Sequence, residues 1–170
     1  MQKPINNIVL IGMMGTGKST VGASLAAKTG LKLVDLDQRI VEKAGLTIPE
    51  IFRENGEETF RNMEASLLDS ALEEKGVVIA TGGGVVLREE NRCVMLNKGL
   101  VIALKAAPEE IVNRVGEDDN RPLLAGGARE RIMKLLEERK HAYDFAHYTI
   151  DTTGKSVEQV TVEILTRYRG

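Results

Sequence analysis

The feature that most constrains this chain is a glycine-rich segment between a short apolar run and a predicted helix. Residues 12–19 read Gly-Met-Met-Gly-Thr-Gly-Lys-Ser and fit the pattern G-x-x-x-x-G-K-[ST]. They follow the apolar run Ile8–Ile11 and open a helix predicted over residues 18–28. Because motif and context are both met, the segment predicts a phosphate-binding loop for a nucleoside triphosphate. The alternative is a glycine-rich strand-to-helix turn without a ligand, and the combined pattern disfavours it.

The residue types of this segment suit that chemistry. Glycines let several backbone N–H groups point at one phosphate, and the N-terminus of the helix adds a favourable dipole. Lys18 would supply a positive charge to the β- and γ-phosphates, and the Ser19 hydroxyl would be offered to Mg²⁺. The loop indicates that a nucleoside triphosphate is the phosphoryl donor, but it does not identify the acceptor.

Short apolar strands alternate with predicted helices along the rest of the chain. Continuous apolar runs of this kind suit strands that are buried on both faces of a parallel sheet. We therefore expect an α/β domain with helices on both faces of about five strands. The predicted strands are residues 8–11, 32–34, 77–80, 100–104 and 148–150, and the predicted helices are 18–28, 38–44, 57–75, 89–97, one from Pro108, 129–145 and a last one to about Tyr168.

Length and composition exclude several classes of protein. The chain has 170 residues, which predicts one domain at roughly 150 residues per domain. Its 23 basic and 25 acidic residues give a net charge of −2, which does not favour a nucleic-acid partner. One cysteine and two histidines are a poor supply for a zinc site. No apolar run approaches the ~18 residues that span a bilayer, and the N-terminus lacks a secretory leader, so we expect a cytoplasmic protein without a membrane partner.

Two aspartates follow the second predicted strand. Ligands of open α/β sheets bind beyond the carboxyl ends of the strands, so Asp35 and Asp37 start in a functional place. One carboxylate could hold metal-bound water while the other takes a proton from an attacking hydroxyl. The alternative is an N-cap for the helix that begins at Gln38, a position that suits aspartate.

Two further motifs lie in the middle of the chain. Arg61 and Glu64 are neighbours at i, i+3 on the long predicted helix, and by themselves they are best interpreted as a surface ion pair. Residues 81–84, Thr-Gly-Gly-Gly, end the third predicted strand. Three glycines there add little stability, but they let a ligand approach the backbone closely and leave N–H groups free to donate.

Three arginines are candidate cations for phosphate or carboxylate groups. Arg121 lies in an irregular loop, residues 116–127, whose polar start, paired leucines and flanking glycines fit a lid that closes and excludes water. Arg114 and Arg139 lie on predicted helices. Taken singly, each of these arginines is better explained as a solvated surface residue.

With these residues assembled, the chain resembles the shikimate kinases over essentially its whole length. The phosphate loop alone is shared by many enzymes, whereas the ordered set of motifs is highly specific. The set comprises residues 12–20, Asp35-Leu36-Asp37, Glu58-Thr59-Phe60-Arg61 with Glu64, Thr81-Gly82-Gly83-Gly84, and the lid signature Arg121-Pro122-Leu123-Leu124 with Arg139.

The resemblance implies the three-layer P-loop NTPase fold in the form found in nucleoside-monophosphate kinases. This is a five-stranded parallel sheet in the order 2-3-1-4-5, flanked by helices and carrying a mobile lid. One kinase domain would span residues 1–170, with a shikimate-binding segment at about 35–64 and the lid at about 116–127. The family also leans towards monomers.

The resemblance further implies an activity and a set of catalytic residues. The γ-phosphoryl group of ATP would pass to the 3-hydroxyl of shikimate, within chorismate and aromatic amino-acid biosynthesis. Asp37 would contact the ring hydroxyls and act as the base, while Lys18 and Arg121 would stabilise charge on the transferring group. Lys18, Asp37 and Arg121 are therefore the implied catalytic residues.

The implied binding residues follow from the same match. Arg61 and Arg139 would hold the carboxylate of shikimate, a task that suits the guanidinium fork. Ser19 would bind Mg²⁺ directly, and Asp35 would do so through water. The full set for shikimate is Asp37, Arg61, Gly83 and Arg139, and the set for ATP is Gly15, Thr16, Gly17, Lys18, Ser19, Thr20, Arg114 and Arg121.

The chain departs from the family in one place, before the last helix. The family often has a proline before the last helix, where residues 153–157 here read Thr-Gly-Lys-Ser-Val. Arg114 and residues 151–153 would frame the adenine, while contacts near Lys155 and Ser156 stay open.

Two other functions compete with this one. The acceptor of a gluconate kinase of this fold has no rigid ring carboxylate, so the acceptor set of Asp37, Arg61, Gly83 and Arg139 would have no matching ligand. A nucleotide switch should show a guanine motif such as N-K-x-D, which the sequence lacks.

Overall fold

The computed structural model describes residues 6–115 and 127–169, in which strands and helices alternate. A short 3₁₀ turn, Val85–Leu87, follows the third strand. In chain order the elements are β1 Ile8–Ile11, α1 Lys18–Thr29, β2 Lys32–Asp35, α2 Leu36–Ala44, α3 Ile48–Glu73, β3 Val77–Ala80, α4 Glu89–Lys98, β4 Leu100–Lys105, α5 Pro108–Val115, α6 Ala128–Glu138, β5 Tyr148–Asp151 and α7 Val157–Arg169.

The five strands form one parallel sheet in the order β2-β3-β1-β4-β5. β1 is central, and its Val9 lies opposite Ile79 of β3 and Val101 of β4. The side chains of β1 are fully buried because helices cover both faces. This confirms the predicted fold class and strand order.

Alternate residues of the central strand face different helical layers. Val9 and Ile11 pack in a cluster with Leu68 of α3 and Met95 of α4. The intervening residues, Ile8 and Leu10, pack in a second cluster that includes Leu25 of α1 and Ile164 of α7. The strand period of two therefore divides the core between the two sides of the sheet.

Two helices differ from their predicted bounds by more than two residues. α3 begins at Ile48 instead of residue 57, because Thr47 and Glu50 form a complete capping box there. Gly56, with φ of +84°, breaks the helical backbone within α3. The predicted helix 129–145 is wrong at its end, because α6 stops at Glu138 and a series of tight turns follows. Four apolar side chains of those turns pack against the core beneath β3, and that packing overrides local helix propensity: Ala142, Tyr143, Phe145 and Ala146.

The carboxyl ends of the parallel strands lie along one edge of the sheet. Residues 12–17 leave β1 there, α2 starts directly after β2, and residues 81–84 leave β3. Three of the predicted motifs are thereby brought to neighbouring positions. The predicted lid, residues 116–127 with Arg121, lies outside the described residues except for Gly127. In the described part of the chain, no helix combines the length and apolar character that crossing a bilayer requires.

Candidate active site

The phosphate loop wraps around a buried lysine. The Lys18 ammonium donates to the carbonyl of Gly12 and, at 2.9 Å, to that of Met13. The Thr16 hydroxyl donates to the same Met13 carbonyl at 2.7 Å. Lys18 is the first residue of α1, so its charge lies beside the N-terminus of that helix. Both features favour an anion at this place.

Asp35 is the N-cap of α2, and its side chain also contacts the phosphate loop. One carboxylate oxygen accepts a hydrogen bond from the backbone N–H of Gln38 at 3.2 Å and caps α2. The other accepts one from the Ser19 hydroxyl at 3.1 Å. Two hard oxygen donors next to a phosphate loop fit Mg²⁺, which keeps several waters and takes its other ligands from phosphates.

The supposed surface ion pair of α3 is buried, so the surface interpretation is wrong. Arg61 Nη1 lies 3.0 Å from Glu64 Oε1, with the side chains only 12% and 1% exposed. Glu57 also reaches the guanidinium, at 3.5 Å from Nη2. The i, i+3 spacing predicts the contact between Arg61 and Glu64, but the burial of this pair depends on another segment of the chain that packs over it.

That segment is the glycine run after β3, and each glycine faces charged side chains. A methyl group on Gly82 would lie 2.9 Å from Oδ1 of Asp37 and 3.3 Å from Oε2 of Glu64. On Gly83 it would lie 3.3 Å from Nη1 of Arg139, and on Gly84 it would overlap the Arg61 guanidinium. We call residues 82–84 the glycine wall. Two carboxylates and two guanidiniums converge on it, and a larger residue would force one of these side chains to move.

Arg139 is 8% exposed and lies at the C-terminal end of α6. The interpretation of this arginine as a solvated surface residue is therefore wrong. The early end of α6 places Arg139 at the start of the turns, where it faces Gly83 across the site. A guanidinium held this way is available to a carboxylate or a phosphate.

One cleft of about 370 Å³ connects the phosphate loop with the acceptor residues. Its lining combines groups that suit a nucleotide with groups that suit a polar acceptor: Lys18, Ser19, Asp35, Asp37, Gly82, Gly83 and Arg114. The arrangement can hold a phosphate donor and a hydroxylated, anionic acceptor side by side. Direct transfer between bound molecules needs that proximity.

Known proteins share both the sequence and the fold of this chain. The shikimate kinase family profile matches residues 14–169. The shikimate kinase of Geobacter metallireducens is 45% identical over 161 residues, covering 94% of this chain and 90% of that protein. That of Caldanaerobacter subterraneus is 44% identical over 165 residues, covering 96% of each. This chain belongs to the shikimate kinase family.

Solved structures agree with this assignment. The shikimate kinase from Acinetobacter baumannii in complex with shikimate matches with a TM-score of 0.92 at 38% identity, over 96% of this chain and 92% of that one. The shikimate kinase from Aquifex aeolicus matches with a TM-score of 0.84 at 36% identity, over 96% of each chain. The family and fold implied by the sequence motifs are both confirmed.

A second cleft flanks the phosphate loop of this shikimate kinase. It measures about 250 Å³, and Thr16, Gly17, Arg114, Thr152 and Lys155 contribute to its lining. Arg114 donates to the Gly15 carbonyl at 2.9 Å and pairs with Glu110 at 2.8 Å. The cleft lies where residues predicted to frame the adenine come together. Lys155, left open by the sequence, lies there too.

The sequence indicates only a minor place for Glu64, yet its side chain is buried among charged groups. Burial raises the pKa of Glu64 above 4.5, and the charge and hydrogen bond of Arg61 oppose the rise. The nearby Asp37 carboxylate raises this pKa further, while Arg139 lowers it. Its Oε2 is buried and has no hydrogen-bond partner among the described residues.

Glu64→Gln should therefore change how stability depends on pH. A carboxyl with a raised pKa keeps its proton in the native state after the unfolded chain has lost it. The wild-type free energy of unfolding consequently falls as pH rises from about 4.5 through the raised pKa. Glutamine has no proton to lose, so the unfolding free energy of the variant, relative to wild type, should increase over the same range. Urea unfolding at a series of pH values measures this difference, and a difference that stays constant with pH would contradict the assignment.

Proposed function

We propose that this shikimate kinase transfers the γ-phosphoryl group of ATP to the 3-hydroxyl of shikimate, giving shikimate 3-phosphate and ADP. The reaction would serve chorismate and aromatic amino-acid biosynthesis. One observation supports this above all: the two guanidiniums and the Asp37 carboxylate meet at the glycine wall, while Asp37 and two residues of the wall, Gly82 and Gly83, line the same cleft as Lys18. A compact acid with ring hydroxyls matches that set of charges.

The acceptor is held by groups from four parts of the chain. Arg61 and Arg139 bind its carboxylate with bidentate, charge-assisted hydrogen bonds. Asp37, which lies at the N-terminus of α2 and reaches towards Gly82, binds the ring hydroxyls. Gly83 allows the ring to approach the backbone. These contacts orient the 3-hydroxyl towards the phosphate loop.

The transfer step needs one proton acceptor and groups that stabilise negative charge. The 3-hydroxyl oxygen forms a bond to the γ-phosphorus as the bond from that phosphorus to the ADP oxygen breaks, and the hydroxyl proton passes to Asp37. Lys18 stabilises charge on the transferring group from within the phosphate loop. We assign the same task to Arg121 on the strength of its lid signature, Arg121-Pro122-Leu123-Leu124.

ATP binding uses the remaining residues of the loop and its flank. Gly15, Thr16, Gly17, Ser19 and Thr20 surround the phosphates, and Arg114 borders the adenine. Ser19 would bind Mg²⁺ directly and Asp35 through water, and the ion, when bound, neutralises charge on the β- and γ-phosphates. We further propose that residues 1–170 form one domain that acts as a monomer in the cytoplasm.

A coupled assay of ADP release tests the function. We expect ATP consumption only when both shikimate and Mg²⁺ are present. Gluconate, the acceptor of the competing kinase class, should not support turnover. An analogue with a ketone in place of the 3-hydroxyl is a sharper control, because it keeps the ring carboxylate but offers no hydroxyl at the reacting carbon. Equal turnover with and without shikimate would refute the proposal.

A further inference from the structure

A tyrosine in the turns after α6 reaches across to the glycine wall. The Tyr143 hydroxyl donates to the Gly83 carbonyl at 2.7 Å, over a separation of 60 residues in the chain. Its ring packs against two core clusters, one that includes Val86 below β3 and one that includes Met14 of the phosphate loop. The side chain therefore connects the glycine wall with the core clusters that lie beside β3 and the phosphate loop.

The same phenol faces the cationic side of the acceptor site. Burial raises the pKa of Tyr143, while the charge and hydrogen bond of Arg139 and the charge of Arg61 oppose that rise. The phenol accordingly keeps its proton at neutral pH. A neutral phenol can donate to a carbonyl and accept from a guanidinium, which has donors only.

The backbone on both sides of this contact lies in turns rather than in a helix or a strand. Arg139 lies just beyond the last residue of α6, and the turn that follows is closed by a 3.0 Å bond from the Ala142 N–H to the Arg139 carbonyl. On the opposite side, the Gly83 carbonyl belongs to the peptide between two residues without side chains. A bond to that carbonyl fixes the orientation of the Gly83–Gly84 peptide plane.

We propose that Tyr143 is a positioning residue for the acceptor, holding the Gly83–Gly84 peptide and the Arg139 guanidinium in the relative placement that receives the substrate carboxylate. The inference rests on the proposed function, because it concerns the same acceptor site. Tyr143 acts through its neighbours and supplies no contact to the reacting atoms.

The test is Tyr143→Phe, which removes one oxygen and keeps the ring in both clusters. The KM for shikimate should rise about tenfold, the size expected for a lost hydrogen bond beside a charged group. The KM for ATP should stay within about twofold of wild type. Irreversible loss of folded enzyme lowers the maximal rate and leaves both KM values unchanged, and reversible unfolding raises both of them, so neither imitates this split.

Tyr148→Phe is the matched control. Tyr148 lies on β5, away from the cleft, with its ring 4.9 Å from the Arg167 guanidinium carbon. Removing its hydroxyl should leave both KM values unchanged. An unchanged KM for shikimate in Tyr143→Phe, or an equal rise of both KM values, would overturn the positioning role.

A double-mutant cycle separates positioning from a general structural effect. Calorimetry would measure shikimate binding to the wild type, Tyr143→Phe, Arg139→Ala and the double variant. If the phenol acts through Arg139, its removal should weaken binding less in the Arg139→Ala background than in the wild type. Additive losses would overturn the proposal. Failure of the wild-type enzyme to phosphorylate shikimate would instead refute the proposed function, before any variant is compared.

Discussion

Replacing Lys18 with alanine is expected to lower kcat by about a hundredfold or more, with a smaller effect on the KM for ATP. The ammonium is held by the carbonyls of Gly12 and Met13 in the phosphate loop, where the proposed transfer would shift negative charge. Losing such a fixed electrostatic contact costs on the order of 3 kcal/mol in the transition state. Steady-state kinetics with shikimate and ATP varied in turn measures both constants.

Lys32→Ala is the control for this substitution. Lys32 lies on β2 and pairs at 3.2 Å with Glu74, with 63% of its side chain exposed. Its removal changes the net charge by the same amount and should leave kcat unaltered. If Lys18→Ala turned over as fast as wild type, the phosphate loop would not be the catalytic one.

Arg61→Ala should lower kcat/KM for shikimate by about a hundredfold or more and also destabilise the protein. The substitution removes one of the two arginines that are proposed to bind the shikimate carboxylate, and such a charged contact contributes on the order of 3 kcal/mol. It also leaves Glu64 buried without its closest cation, and breaking a buried pair in this way costs roughly 3–5 kcal/mol. Kinetics and urea unfolding report the two effects separately.

Two further variants distinguish the loss of shikimate binding from the loss of stability. Arg53→Ala, on the same helix but with 71% of its side chain exposed, should change neither binding nor stability. Adding Glu64→Gln to Arg61→Ala should recover much of the lost stability, because the carboxylate that lost its closest cation is also removed, but should not recover shikimate binding. Wild-type affinity for shikimate in Arg61→Ala would refute the carboxylate assignment.

Much of the fold could be predicted because its determinants are local. Ile8–Ile11 and Val77–Ala80 are unbroken apolar runs, and a strand buried on both faces requires that composition. The phosphate loop was equally evident, since the spacing of its glycines, Lys18 and Ser19 lies within eight residues. The placement of Asp35 and Asp37 then followed from the rule that ligands bind at the carboxyl ends of strands.

The parts that escaped prediction depend on contacts between distant segments. Nothing next to Glu64 or Arg139 in the chain indicates that the glycine wall will cover them. Taken singly, both residues are interpreted as surface residues, and only the family resemblance assigns Arg139 to the site. The end of α6 was misplaced because no glycine or proline stops the helix after Glu138. The turn there is imposed by packing against the core. Tyr143 had no local signal at all, because its hydrogen-bond partner is 60 residues away.

The glycine wall also has a thermodynamic consequence. Its charged neighbours rest against main chain that is itself tied down: Thr81 bonds to the Leu10 carbonyl at 2.7 Å, and Asn91 to the Val85 carbonyl at 2.9 Å. Side chains ordered before the substrate arrives lose little rotamer entropy on binding, whereas a mobile arginine loses about 0.5–1.5 kcal/mol. The side chains that contact shikimate should therefore have lost their configurational entropy already when the chain folded. The entropic cost that the protein adds to binding is then small, so most of the binding enthalpy contributes to the affinity.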